Sequence, residues 1–213
     1  MVKQQSNKIL KKKILIAIDW YLPGFLAGGP IRSIYNSASL LKDKYDITII
    51  TSNRDLNSKV PYGGMEKFIT YKKVNDVRVV YLSSYNFRDL IKTITSDFDL
   101  IYLNSMFSFR FTLIPLIIKK ITSLSSKIVL APRGMLHQEA LYQRRGKKRL
   151  YLYLTKFLYK QNNILFQATN EHEKNQIESS LSFEPNIVVL PNPIMLPKTK
   201  RDDSITNFKP FKL

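Results

Sequence analysis

The side chains and turns able to do chemistry sit in a few short segments. Gly28-Gly29-Pro30 is the first. Glycine lets a backbone approach a guest closely, and proline suits the first turn of a helix. The unpaired N–H groups and positive dipole end of that turn favour phosphate. A tight turn with glycines present for steric reasons alone is the other reading. The spacing is neither G-x-G-x-x-G nor a P-loop. The second segment is Ala131-Pro132-Arg133-Gly134-Met135-Leu136-His137. A guanidinium at position 133, just past an apolar run, can grip phosphate or sugar hydroxyls through forked hydrogen bonds. His137 serves either as a site residue or as a structural histidine, and Glu139 reads as a helix N-terminal charge.

The third segment is cationic: Arg144, Arg145, Lys147, Lys148 and Arg149. It runs into Leu150, Tyr151, Tyr153, Leu154, Phe157 and Leu158, with Lys156 and Lys160 between. Two compatible readings follow. One is a core-facing helix with a solvated cationic start. The other is a helix lying on an anionic membrane, where each nearby Lys or Arg contributes about 1 kcal/mol. Asn170-Glu171-His172-Glu173 reads as an N-cap with a capping box. Leu190-Pro191-Asn192-Pro193 is a turn or, with Asn192 at its centre, a crossing into another domain. None of these segments supplies an assignable general base or nucleophile.

These segments hang on a chain of 213 residues, 44% hydrophobic, which suffices for one good core. There is no cysteine, so disulfides, thiolate metal sites and cysteine nucleophiles are excluded. Two histidines, His137 and His172, cannot make a histidine-rich metal site, and no metal is expected. Lys and Arg number 34 against 16 Asp and Glu, a formal charge of +18. Such a surplus favours anionic partners: nucleic acid, lipid headgroups or phosphate-bearing substrates. The lysines at 8 and 11–13 precede an apolar run that stops at Asp19, which suits a buried first strand better than a signal peptide. The stretch Phe107 to Ile118 contains Arg110 and falls short of the roughly 20 residues a spanning helix needs, so no transmembrane segment is expected.

Apolar β-rich runs alternate with helical patterns along the chain, the mark of a parallel sheet with crossover helices. Strands are predicted at 14–18, 46–51, 77–82, 99–104, 127–131, 164–168 and 187–190. Helices are predicted from Pro30, over 87–95, over 107–121 with a kink or broken start at Pro115, over 147–160 and over 170–180. The stretch from Ser52 to Met65 reads as loop, and 132–146 as loop with some helical character. The expected fold is α/β: a Rossmann-like three-layer sandwich with a mostly parallel sheet of about seven strands. Ligands of such sheets bind at the carboxyl ends of the strands. Residues 1–10 read as a basic N-terminus, 11–196 as the domain, and 197–213 as a polar tail or the start of a linker.

In this order, "YLPGFLAGGPIRSIYNSASLL", "DLIYLNS", "VLAPRGMLHQEAL", "FQATNEHEKNQI" and "VVLPNPI" resemble the N-terminal domain of family 4 glycosyltransferases, over about residues 11 to 196. The resemblance implies one half of a GT-B fold. In it an acceptor-side domain faces a donor-side domain that holds most of the nucleotide-sugar. It implies sugar transfer to a glycan or lipid-linked acceptor in bacterial cell-surface polysaccharide or lipopolysaccharide synthesis, with retention of configuration and without a bound metal or cofactor. Gly28 and Gly29 would approach the donor diphosphate. Arg133, Gly134 and His137 would face the acceptor cleft, and Asn192 would mark the crossing between domains. Many members carry a histidine where this chain has Arg133. The patch Arg144 to Arg149 would dock on an anionic membrane, which makes the protein cytoplasmic and peripheral at the inner face of the cytoplasmic membrane.

The family's paired-glutamate donor motif belongs to a second domain and is not found in these residues. The expectation is a chain inactive without that half, which another polypeptide would supply if the chain is whole. Two rivals remain: a nucleic-acid-binding module, for which no recognition motif or ordered stacking platform is present, and a non-catalytic membrane-bound scaffold.

Overall fold

The computed structural model describes residues 11–137, 145–161 and 163–194. A run that is apolar at every position is stable as a strand only when helices cover both faces of its sheet. β1 (Lys13–Ile18) is of this kind after Lys13, and β2 (Asp46–Ser52), which mixes isoleucine with threonine and serine, is likewise buried throughout after its first residue. The remaining strands are β3 (Ile69–Val74), β4 (Val77–Leu82), β5 (Leu100–Asn104), β6 (Lys127–Ala131), β7 (Leu165–Ala168) and β8 (Asn186–Val189). They form one sheet in the order β3-β4-β2-β1-β5-β6-β7-β8. Every pairing is parallel except β3 with β4.

The helices are α1 (Gly29–Leu41), α2 (Phe87–Ile94), α3 (Ile114–Thr122), α4 (Arg145–Gln161) and α5 (Glu171–Ser180). A π-helical turn, Phe109–Leu113, leads into α3, and Pro115 lies in the first turn of α3, where its missing N–H costs nothing. The broken start expected at Pro115 is this change of winding.

Successive residues of β1 point to opposite faces. Leu15 and Ala17 join a core with Ile101, Leu103, Phe111 and Phe166, whereas Ile14, Ile16 and Ile18 join another with Ile34, Ile49 and Val79. The fold is therefore the expected α/β three-layer arrangement around a mostly parallel sheet.

The sheet has eight strands rather than about seven. The extra one, β3, is the antiparallel edge strand, and Tyr71, Lys72 and Lys73 leave it largely exposed. An edge strand with one solvated face carries no continuous apolar run. Its turn carries a signal: Asn75 and Asp76 adopt φ of 50° and 64°, the left-handed pair of a two-residue hairpin. Residues 1–10 and 197–213, given other roles from sequence, lie outside the described residues.

Strand order places the crevice. The chain leaves β1 for β2 on one side, and β5 pairs with β1 on the other. Connections diverge there, so the carboxyl ends of β1 and β5 flank the topological switch point.

Candidate functional site

The loop between β1 and α1 is fastened from outside. Asp55 accepts hydrogen bonds from the amides of Phe25 at 2.9 Å, Leu26 at 3.3 Å and Leu56 at 2.8 Å. The Tyr62 hydroxyl donates to the Tyr21 carbonyl at 3.3 Å, and the Tyr81 hydroxyl donates to the Leu22 carbonyl. Gly24 fits because a Cβ there would run into the Tyr62 hydroxyl. Gly28 holds φ +65°, the left-handed region glycine tolerates best, and precedes α1 without a side-chain cap. The first turn of α1 contains no acidic residue, so its dipole faces the loop unneutralised; Pro30 has no N–H, and the Ile31 amide donates to the Gly28 carbonyl at 3.2 Å.

Arg133 sits at the start of the loop after β6 with φ 59°, followed by Gly134 at φ 71°. A left-handed non-glycine residue costs roughly 1–2 kcal/mol, so something must hold it. Its guanidinium does. Nε donates to Asn104 Oδ1 at 3.0 Å, Nη2 donates to the same oxygen and to the Tyr102 hydroxyl at 3.0 Å, and Nη1 donates to Asn192 Oδ1. Tyr102 in turn donates to Gln167 Oε1, and Gln167 Nε2 donates to the Leu190 carbonyl at 2.8 Å. The forked donors that the sequence offered to a guest are thus largely spent within the protein. Beside them, Nδ2 of buried Asn104 is left without a partner.

The start of α5 forms the opposite bank. Asn170 accepts from the Glu173 amide at 2.8 Å, as an N-cap should. The Glu173 carboxylate does not close the box onto Asn170. It accepts from the Thr169 amide at 2.7 Å, the Thr169 hydroxyl at 2.6 Å and the Gly134 amide at 2.8 Å. Glu173 therefore ties the loop after β6 to the start of α5. His137 and His172, the chain's two histidines, lie with ring centroids 5.8 Å apart, and His172 Nε2 is 2.7 Å from Gln176 Nε2.

These banks enclose a groove of about 400 Å³ lined by Gly29, Arg133, Gly134, His137, His172 and Asn192, among others. Gly28 lies in an adjoining apolar cavity of about 810 Å³ that shares Gly29, and a third of about 540 Å³ shares Gly29 and Asn192. Positions singled out from four separate sequence segments thus meet along one trench over the start of α1. Asn192 is held by Arg133, and the Asn36 side chain donates to the Pro193 carbonyl at 3.0 Å, returning the chain to α1.

Arg144 is outside the described residues. Arg145, Lys147, Lys148 and Arg149 belong to α4, whose backbone is described there but not those side chains. Further along, Thr155 and Tyr159 face inward, and the Tyr159 hydroxyl donates to the Met106 carbonyl at 3.1 Å. Leu150 (58% exposed), Tyr153 (66%), Leu154 (66%) and Phe157 (59%) point out. The apolar residues expected in the core of that helix thus split between two faces. Ile121 on α3 is exposed too, and Lys120 lies 5.7 Å from the Phe157 ring.

Sequence reasoning assigned no role to Asp19, Arg54, Ser108 or Arg110. Asp19 directly follows the buried run of β1, a position at the strand's carboxyl end that could have marked it. Burial raises its carboxyl pKa, opposed by the Ser108 hydroxyl, which donates at 2.7 Å, and by the charge of Arg110. Burial lowers the guanidinium of Arg110 to about 10. Among the described residues no cluster of three His, Cys, Asp or Glu side chains is placed to hold a metal ion.

Comparison with known proteins finds no protein family and no curated protein that matches this chain.

Burial pushes the Asp55 carboxyl up, but the three amides donating to it outweigh burial and hold it below its usual value of 3.8. Folded Asp55 is thus the stronger acid. Its contribution is complete above the ordinary carboxylate range and is lost as pH falls through the folded value. Hydrogen exchange at the Phe25 and Leu26 amides, corrected for intrinsic rates, is expected to accelerate in acid below that range. In Asp55→Asn it should already be fast at neutral pH and should vary little with acid. Equal protection in the two proteins at neutral pH would show that the loop is held some other way.

Proposed function

We propose that this chain is the acceptor-side, Rossmann-like half of a glycosyltransferase that moves a sugar from a nucleotide-sugar to a glycan or lipid-linked acceptor in bacterial cell-surface polysaccharide or lipopolysaccharide synthesis. The observation that carries the reading is the groove shared by Gly29 and Arg133, which the starts of α1 and α5 both border. The ordered motifs of the sequence support the same reading.

The donor diphosphate meets the first turn of α1, which has no side-chain cap and whose helix dipole stabilises charge that grows as the sugar departs. Gly28 and Gly29 keep side chains out of that approach. The imidazoles of His137 and His172 are further polar groups that line the groove. Rate enhancement on this side comes from stabilising the leaving diphosphate and orienting the acceptor.

The outward face of α4 supports a peripheral membrane role. Leu150, Tyr153, Leu154 and Phe157 recur at helical spacing, Lys156 and Lys160 flank them, and the cationic start precedes them. An apolar face bordered by cations matches an anionic bilayer surface, which takes up the rings and pairs with the lysines. Among the described residues no helix is long and apolar enough to cross a membrane.

Titration with UDP or GDP, followed by amide chemical shifts, tests the groove. Saturable shifts are expected at Gly28, Gly29 and the first turn of α5. Nucleotide binding that leaves all of these unmoved, or no binding at millimolar nucleotide, counts against the reading. Flotation tests the membrane face. The chain should float with vesicles containing phosphatidylglycerol and not with neutral ones, and a Leu154→Glu, Phe157→Glu double variant should stay at the bottom. Flotation by that variant equal to the parent would remove α4 from the contact.

A further inference from the structure

The transfer reading leaves unused a polar cleft at the switch point itself. It encloses about 210 Å³ and is lined by Asp19, Ser52, Arg54, Asn57, Ser84 and Arg110, among others. We propose that this cleft binds a small oxyanion, phosphate or carboxylate, carried on the acceptor, so that the acceptor is an acidic molecule. The word acceptor rests on the glycosyltransferase reading; the oxyanion site does not.

Three observations carry it. The first is position. Asp19 directly follows β1, Ser52 ends β2, and Arg110 lies in the π-helical turn that follows β5. Open α/β sheets take ligands at the point where β1 and β5 diverge.

The second is unmatched charge. Every ion pair within 4.0 Å among the described residues uses a lysine, so neither Arg54 nor Arg110 touches a carboxylate, although Asp19 acts on Arg110 from farther off. Arg54 makes one long hydrogen bond, to Asn53 Oδ1 at 3.4 Å. Arg110 donates to the Ser83 carbonyl, and its buried Nε has no partner. A guanidinium offers five donors, so most of the pair's capacity is unspent. Burial is the main force that lowers Arg110; the charge of Asp19 partly offsets it, and Arg54 adds a smaller like-charge push in the same direction as burial.

The third is that the wall's carboxylates are engaged elsewhere. Asp55 accepts from three backbone amides, and Asp19 takes the Ser108 hydroxyl on Oδ1. An incoming oxyanion is therefore the natural partner for both guanidiniums, through charge-assisted forked bonds. Ser52, Ser84 and Asn57 can both donate and accept, which suits hydroxyls adjoining the anionic group. The remaining oxygen of Asp19 can accept from one of them.

Calorimetric titration of the full chain at fixed ionic strength tests the proposal, with inorganic phosphate, glucuronate and, as a neutral control, glucose. At least one oxyanion should bind saturably and glucose should not. Phosphate alone points to a phosphorylated acceptor, and glucuronate alone to an acidic sugar. Arg54→Gln and Arg110→Gln should each weaken binding by about tenfold or more, as expected for loss of a hydrogen bond to a charged group. Lys72→Gln, which removes the same charge from the exposed edge strand, should leave it unchanged. Arg54 has one weak side-chain bond, so its variant keeps the test decisive if Arg110→Gln does not fold. No saturable oxyanion binding, or equal affinity in Arg54→Gln and Lys72→Gln, overturns the proposal. Nucleotide-induced shifts at Gly28 and Gly29 should persist in Arg54→Gln. Their absence in the parent chain alongside intact oxyanion binding would remove the transfer reading and leave this cleft standing.

Discussion

The guanidinium of Arg133 fastens the carboxyl ends of β5 and β6 to the segment that follows β8. Its four hydrogen bonds reach Asn104, Tyr102 and Asn192, and Tyr102 passes the link through Gln167 to the backbone at Leu190. A cation can be kept partly buried in this way only if its donors are met, because an unmet buried charge costs several kcal/mol. That requirement fixes the floor of the groove. With Asn192 drawn inward, the chain after β8 passes beside α1, where Asn36 receives it, and the trench closes over Gly29. The left-handed backbone at positions 133 and 134 is the local cost of aiming the side chain there.

Much of the architecture was legible in the sequence because the signals are local. Five consecutive apolar residues at 14–18, bounded by charge, leave little alternative to a doubly covered strand. Pro30 and Asn170 mark helix starts for reasons that act within one turn. The edge strand β3 escaped because its stability comes from pairing with β4 rather than from its own pattern. The capping box at Asn170 was half right for a similar reason. The amide cap is local, whereas the Glu173 carboxylate answers to Gly134, a residue 39 positions away.

The groove was legible as a set of segments and not as a network. Position at strand ends points to Gly29, Arg133 and His137, but the sequence cannot show that Asn104 and Asn192 converge on Arg133 and take up its donors. The switch-point cleft was missed for the opposite reason. Asp19, Arg54 and Arg110 belong to no motif, and only the strand order brings them to one place. Charge behaves likewise. The surplus of +18 says that anions are favoured. Which cations share a place, as Arg54 and Arg110 share one cleft, is set by the fold.

If the groove owes its shape to Arg133, then Arg133 and Asn192 must be energetically coupled. A double-mutant cycle on chemical denaturation, using Arg133→Gln, Asn192→Ala and the pair, measures this directly. Residues joined in one buried hydrogen-bond network should show a coupling energy of about 0.5–3 kcal/mol. Additive losses, within about 0.3 kcal/mol, would mean that the guanidinium does not hold Asn192 and that the groove's floor is set by something else.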